Sequence, residues 1–106
     1  MTAVGTVMAI RPEPDGDVHI QFQLDVGQEV LLNRGNRAEQ SGTLVVEIIC
    51  FGTVTQSDAI AACANYQSPI TLPPVGSHIA ITGPHVLDTA HDWMEIHPVY
   101  EWHAAP

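Results

Sequence analysis

The chain contains no lysine, and its only fixed cations are Arg11, Arg34 and Arg37. Charged residues make up 14% of the sequence, and acidic residues outnumber basic ones so far that the formal net charge is −9. Nucleic-acid affinity rests mainly on Lys and Arg contacts to the phosphate backbone, so this balance disfavours a polyanionic partner. It suits solubility, a cation or a basic partner. No stretch approaches the eighteen or so consecutive apolar residues of a membrane-spanning helix. Met1 to Ile10 carries neither the basic n-region nor the apolar run of a secretory leader. Cysteine is scarce: Cys50 and Cys63 can form a disulfide or remain as two buried thiols, and their spacing does not decide between these. No Gly-x-Ser-x-Gly elbow supplies a nucleophile, and no His-Glu-x-x-His or Cys-x-x-Cys spacing marks a metal site.

What the chain does have is β-forming residues. Its 106 residues are the size of one domain, spanning 1–106, and 45% of them are hydrophobic. Residues 3–10 read as a strand, and Arg11 to Asp17 as a turn built on two prolines and Asp15-Gly16. Val18, Ile20, Phe22 and Leu24 then alternate with His19, Gln21, Gln23 and Asp25, the period of two of a half-buried antiparallel strand. Glu29 to Leu32 reads as a short strand or a helical turn, and Asn33 to Arg37 as a loop. Thr43 to Phe51 is a nearly continuous apolar run and reads as a central strand, in which Glu47 needs a partner or an exposed face. Gln56 to Asn65 is the one good helix candidate, capped by Thr55 or Ser57. A proline-stiffened connection from Ser68 to Gly76 leads to a fourth strand at 77–83. The fifth strand runs from Trp93 to Trp102, with Pro98 at an edge or bulge. Three strands, a helix and two strands predict an all-β, five-stranded OB-like Greek-key barrel, with one short helix between strands three and four.

Several segments carry a resemblance. Asp15-Gly-Asp-Val-His-Ile20, Leu31-Leu-Asn-Arg-Gly-Asn36, Leu44-Val-Val-Glu-Ile-Ile49, Pro73-Pro-Val-Gly-Ser-His78, Thr82-Gly-Pro-His-Val-Leu-Asp88 and His91-Asp-Trp-Met-Glu-Ile-His-Pro-Val99 run in order through nearly the whole chain. Together they resemble a family of uncharacterised, mostly secreted bacterial OB-like domains, and the C-terminal His-x-Trp-x-Glu-Ile-His-Pro-Val motif is the most specific match. The resemblance implies a secreted, periplasmic or cell-surface location, with the cytoplasm as the alternative. It also implies that Cys50 and Cys63 form a disulfide, worth roughly 3 kcal/mol for a loop of this size. It implies no established activity.

An OB barrel binds ligands across its second and third strands, flanked by the loops between strands one and two and between strands four and five. The first loop offers Asp15 and Asp17 beside Glu13, with His19 just inside the strand. The second offers His85, Asp88, His91 and Asp92. Carboxylates with imidazoles suit a divalent cation such as Ca²⁺ or Zn²⁺. The bland reading is that Asp15 and Asp88 cap turns. Glu95 and His97, two apart on one strand face, form with Glu47 either a structural polar cluster or an acid–base pair. The aromatic C-terminal tail and the Arg34/Arg37 pair are compatible with self-association. The expected function is a non-enzymatic extracytoplasmic binding or assembly module. The alternatives are a metal or small-ligand site, hydrolytic or not, and an OB fold that binds nucleic acid.

Overall fold

The computed structural model describes all residues, Met1–Pro106. Seven strands form one sheet: β1 (Thr2–Pro12), β2 (Val18–Leu24), β3 (Leu44–Ile48), β4 (His78–Thr82), β5 (His85–Asp88), β6 (Trp93–Ile96) and β7 (Glu101–Ala104). Their spatial order is β5-β6-β3-β2-β1-β4-β7. Within it, β4-β1-β2-β3 is a Greek key, the fourth strand returning to lie beside the first. All pairings are antiparallel except β3 with β6, which is parallel.

The all-β expectation holds, but the sheet has seven strands rather than five and does not close into a barrel. The two extra strands have local causes. Asp88 to Asp92 is not an open loop: it is the turn of a hairpin whose first arm, β5, pairs with β6 from Asp88↔Trp93 to His85↔Ile96. The expected last strand is also two strands, because Pro98 has no N–H to give to a ladder. The chain leaves β6 there, sends the Val99 N–H to the Glu47 carbonyl and the Tyr100 N–H to the Thr82 carbonyl, and continues as β7 against β4. The tail folds back on its own chain, with the Trp102 indole donating to the Thr71 carbonyl at 2.8 Å.

The core follows the alternation of β2. Val18, Ile20, Phe22 and Leu24 point inward and meet Leu44, Val46 and Ile48 of β3, Ile79 and Ile81 of β4, and Ile96 of β6. Burying side chains of this size contributes roughly 1.5–3 kcal/mol each. The strand β3 is buried along its whole length, so its other face, Val45 and Glu47, is covered as well.

Two helical expectations need correction. Asn33 to Arg37 leads into a helix, α1 (Arg34–Glu39), and is not a loop. The side chains of Asn33 and Asn36 each accept from the other's backbone N–H, a reciprocal cap that offsets the helix-weakening Gly35. Asn36 is also fully buried. Its amide donates to the carbonyls of Thr43 and Met94, and its oxygen accepts from Met94 N–H. One side chain thus ties α1 to β6 and to the residue before β3. Gly35 permits this docking, because a Cβ there would run into the Asp92 carbonyl. The expected helix at 56–65 is smaller, a 3-10 turn (Ser57–Ala59) followed by α2 (Ile60–Cys63). Neither Thr55 nor Ser57 caps it, since Gln56 holds the cap position without a side-chain bond. Ile60 is exposed, so no tertiary packing extends what alanine propensity starts. The Cys50–Cys63 disulfide anchors this segment, closing a separation of 13 residues.

Candidate functional site

The outer face of β2, β3 and β6 carries the polar residues that the core alternation leaves behind. His19 on β2 lies directly opposite Glu47 on β3, and Val45 lies opposite Glu95 on β6. Trp93, Glu95 and His97 occupy alternate positions and share that face. The β1–β2 turn stands at one side and the β5–β6 hairpin at another. Together they enclose a groove of about 740 Å³ lined by Arg11, Glu13, Asp15, Asp17, His19, Gln40, Glu47, Gln56, Asp88, His91, Trp93, Glu95 and His97, among others.

At its floor is a continuous hydrogen-bonded network. Glu47 takes one imidazole on each oxygen: His19 Nε2 on Oε1, and His97 Nδ1 on Oε2 at 2.6 Å. His97 Nδ1 also lies 3.3 Å from Glu95 Oε1, and the Trp93 indole donates to Glu95 Oε2 at 2.8 Å. The carboxylates are deep, with side-chain exposures of 7% for Glu47 and 2% for Glu95, whereas His97 is 37% exposed and faces the groove. Every buried side-chain polar atom has a partner.

The electrostatics follow from this layout. Burial pushes Glu47 up, but the bonds from His19 and His97 outweigh burial and hold it well below the usual carboxylate range. Burial dominates at Glu95 and raises it, with the neighbouring Glu47 adding to the effect. The hydrogen bond to Glu47, then the one to Glu95, lifts His97 to about 10. The bond to Glu47 raises His19 likewise, against its desolvation. The two glutamates are thus pushed in opposite directions within one cluster, a pattern found at functional sites.

The rim is built differently. Asp88 Oδ1 accepts from the Ala90 and His91 N–H groups, and Oδ2 meets His91 Nδ1 at 2.7 Å. The His91 ring stacks on Trp93 with centroids 4.4 Å apart. Across the groove, Asp15 accepts from Asp17 N–H and Asp17 accepts from Cys50 N–H, so both carboxylates hold the turn in shape. Burial raises Asp17.

Comparison with protein-family models, curated proteins and solved structures gives no match.

Of the seven residues expected at the loop end, Asp15, Asp17, His19, Asp88 and His91 line the groove. His85 does not; its Nε2 bonds the Leu31 carbonyl at 2.8 Å and pins β5 to the segment before α1. Asp92 does not either. It takes a left-handed turn conformation at φ 62°, and its carbonyl receives the Asn33 amide. Glu47, Glu95 and His97, read from the sequence as a structural polar cluster or an acid–base pair, lie in the same groove as the loop residues. Trp93 and Gln40 join the lining without having been singled out. For Trp93 a signal was present: positions 91, 93, 95 and 97 alternate and read His, Trp, Glu, His. Asp17 also lies close to both cysteine sulfurs, but these are spent in the disulfide.

Proposed function

We propose that the protein is a non-enzymatic, extracytoplasmic binding module whose ligand is a cation held in the groove over β2, β3 and β6. The observation that carries this reading is the composition of one concavity. Six of the residues lining it are carboxylates, Glu13, Asp15, Asp17, Glu47, Asp88 and Glu95, against Arg11 and the imidazoles of His19 and His97, whose proton affinity Glu47 raises, so negative charge is in excess. A cleft with an excess of one sign of charge concentrates ions of the opposite sign. Its position supports the OB-like assignment, since the face of the second and third strands is where such folds bind, between the two loops that flank it here. The disulfide supports an oxidising compartment. The same acidity argues against nucleic acid.

The test is a titration followed by backbone amide resonances, with Ca²⁺, Zn²⁺ and the organic cation spermidine as probes. The reading requires at least one probe to shift Asp17, His19, Asp88, His91 and the Trp93 indole in a saturable way. Shifts spread evenly over the acidic surface, or none with any probe, overturn it.

Self-association is a second part of the reading, supported by the free outer edges of β5 and β7 at the two ends of the open sheet. Exposed Leu87 and Tyr100 lie in β5 and just before β7. A mass that rises with concentration in sedimentation experiments supports it, and a monomer at high concentration removes it.

A further inference from the structure

The groove floor is organised around one point. Each buried carboxylate has one oxygen held by a donor of its own. His19 Nε2 holds Glu47 Oε1, and the Trp93 indole holds Glu95 Oε2. The remaining oxygens, Glu47 Oε2 and Glu95 Oε1, both aim at His97 Nδ1, at 2.6 and 3.3 Å. These three groups can present ligand atoms that all lie within 4.8 Å of one another.

We propose that Glu47, Glu95 and His97 form a three-ligand site for a divalent transition metal of the zinc type, with a fourth coordination position open to the groove. The proposal rests on the groove being a ligand site and names what it takes.

Imidazole with two carboxylates is a donor set for Zn²⁺ and its neighbours. Ca²⁺ asks for six to eight oxygens, which this floor does not offer. Bonds of about 2.0–2.2 Å at tetrahedral angles place ligand atoms roughly 3.3–3.5 Å apart. The His97–Glu95 separation already has that value. The His97–Glu47 separation must open by about 0.7 Å to reach it, and the half-exposed His97 ring has room to move towards the groove. Metal entry displaces a proton: Nδ1–H gives its proton to water, and the nitrogen lone pair takes the metal. One divalent ion then faces both buried carboxylates, where one imidazole proton faced them before. Donors that fix the outer oxygens of ligating carboxylates are the usual support of such sites. Trp93 and His19 already occupy those places as positioning residues.

The experiment uses the full-length protein, stripped with chelator and titrated with Co²⁺, whose d–d absorption reports inner-sphere binding, with Zn²⁺ as competitor. The expected result is one Co²⁺ per chain, displaced by Zn²⁺. His97→Gln and Glu95→Gln should each weaken binding by at least 100-fold. Trp93→Phe keeps the ring but loses the donor to Glu95, and should weaken it by about tenfold. Glu101→Gln on β7, outside the groove and at the opposite end of the sheet, should leave it within about threefold. Should the two ligand variants not fold, Cu²⁺ bound to the wild type should show one imidazole nitrogen in its electron paramagnetic resonance hyperfine pattern. No Co²⁺ binding by the wild type, binding abolished by Asp88→Asn but kept in His97→Gln, or a Cu²⁺ spectrum without nitrogen each overturns the metal assignment. Spermidine separates this failure from that of the groove. If spermidine shifts the groove resonances while Co²⁺ and Zn²⁺ do not bind, the groove stands and the metal falls. If neither these three nor Ca²⁺ binds, both fall.

Discussion

The molecule holds two carboxylate–imidazole pairs of nearly the same length in very different surroundings. Glu47 and His97 meet at 2.6 Å at the floor of the groove, and Asp88 and His91 meet at 2.7 Å on its rim. The carboxylates are 7% exposed at Glu47 and 22% at Asp88, and the imidazoles 37% at His97 and 55% at His91. Distance alone would rank the pairs as equals. Coulomb attraction is several times stronger where water is excluded, and so is the penalty for leaving a charge unpaired. The buried pair is therefore tied to folding and to the protonation state of its partners, while the rim pair is tied mainly to the shape of a turn. Substitution, pH and salt should therefore act differently on the two pairs.

The largest effect belongs to Glu47. Its carboxylate is the only acceptor shown for His19 Nε2 and the nearer of two for His97 Nδ1. Glu47→Ala leaves two imidazoles facing a cavity in the middle of β3. Breaking a buried pair in this way costs about 3–5 kcal/mol, read as a fall in the urea midpoint. Glu47→Gln keeps the volume and one acceptor, so it should cost less than the alanine change. A loss below about 1 kcal/mol for Glu47→Ala would place the floor pair in the same class as exposed ion pairs and end the comparison.

The two pairs also differ in how far the sequence reveals them. The alternation of β2 puts Val18, Ile20, Phe22 and Leu24 on the core side, which by itself assigns His19 to the other face. Glu47 is visible as one charge in an apolar run. What no local pattern contains is the register that sets His19 opposite Glu47 and Val45 opposite Glu95, because pairing between strands distant in sequence is decided by the whole sheet. The rim was obscured for a different reason. Asp88 to Asp92 is polar enough to pass for a loop, yet Asp88 makes it a tight hairpin turn by bonding two backbone N–H groups. The helix α1 was hidden in the same way. Its glycine and asparagines have poor helix propensity, but Asn33 and Asn36 satisfy the orphan N–H groups at its start, and Asn36 docks it. In each case a side chain bonding to backbone overrode the residue's propensity, two or three residues away at the turn and the helix cap, and as far as Met94 from Asn36.

The pH dependence of stability sharpens the contrast, and it is best measured in chelator so that no metal contributes. His97 is lifted to about 10 in the folded state, against roughly 6.5 when unfolded. A raised histidine gives stability that is fully present below the unfolded value and is lost as pH climbs through the folded one. His19, raised by the same carboxylate, acts in the same direction. Stability should therefore fall between about pH 6.5 and 10. Full linkage for a shift of that size is about 5 kcal/mol. More than a third of the His97 ring is exposed, so solvent screening should reduce the observed fall to about 1–2 kcal/mol. Urea midpoints at pH 6, 8 and 9.5 would show it, and His97→Gln should flatten the decline. A profile that rises with pH over this window would contradict the charged network. On the acid side Glu47, held low by its imidazoles, gives stability that is lost as pH falls below about 4.5.

The smallest effect is expected on the rim, and it separates charge from geometry. Asp88→Asn removes the charge facing His91 but keeps an oxygen for the Ala90 and His91 N–H groups, so the turn keeps its cap. The change should cost no more than about 0.5 kcal/mol, and the cost should vanish in 0.5 M salt, where exposed charges are screened within a few ångströms. Asp88→Ala removes the cap as well. By the usual value of a lost side-chain-to-backbone bond it should cost about 1 kcal/mol at any ionic strength. If the asparagine variant loses as much as the alanine one and salt restores both, then the rim pair acts through its charge, as the floor pair does, and burial is not what distinguishes them.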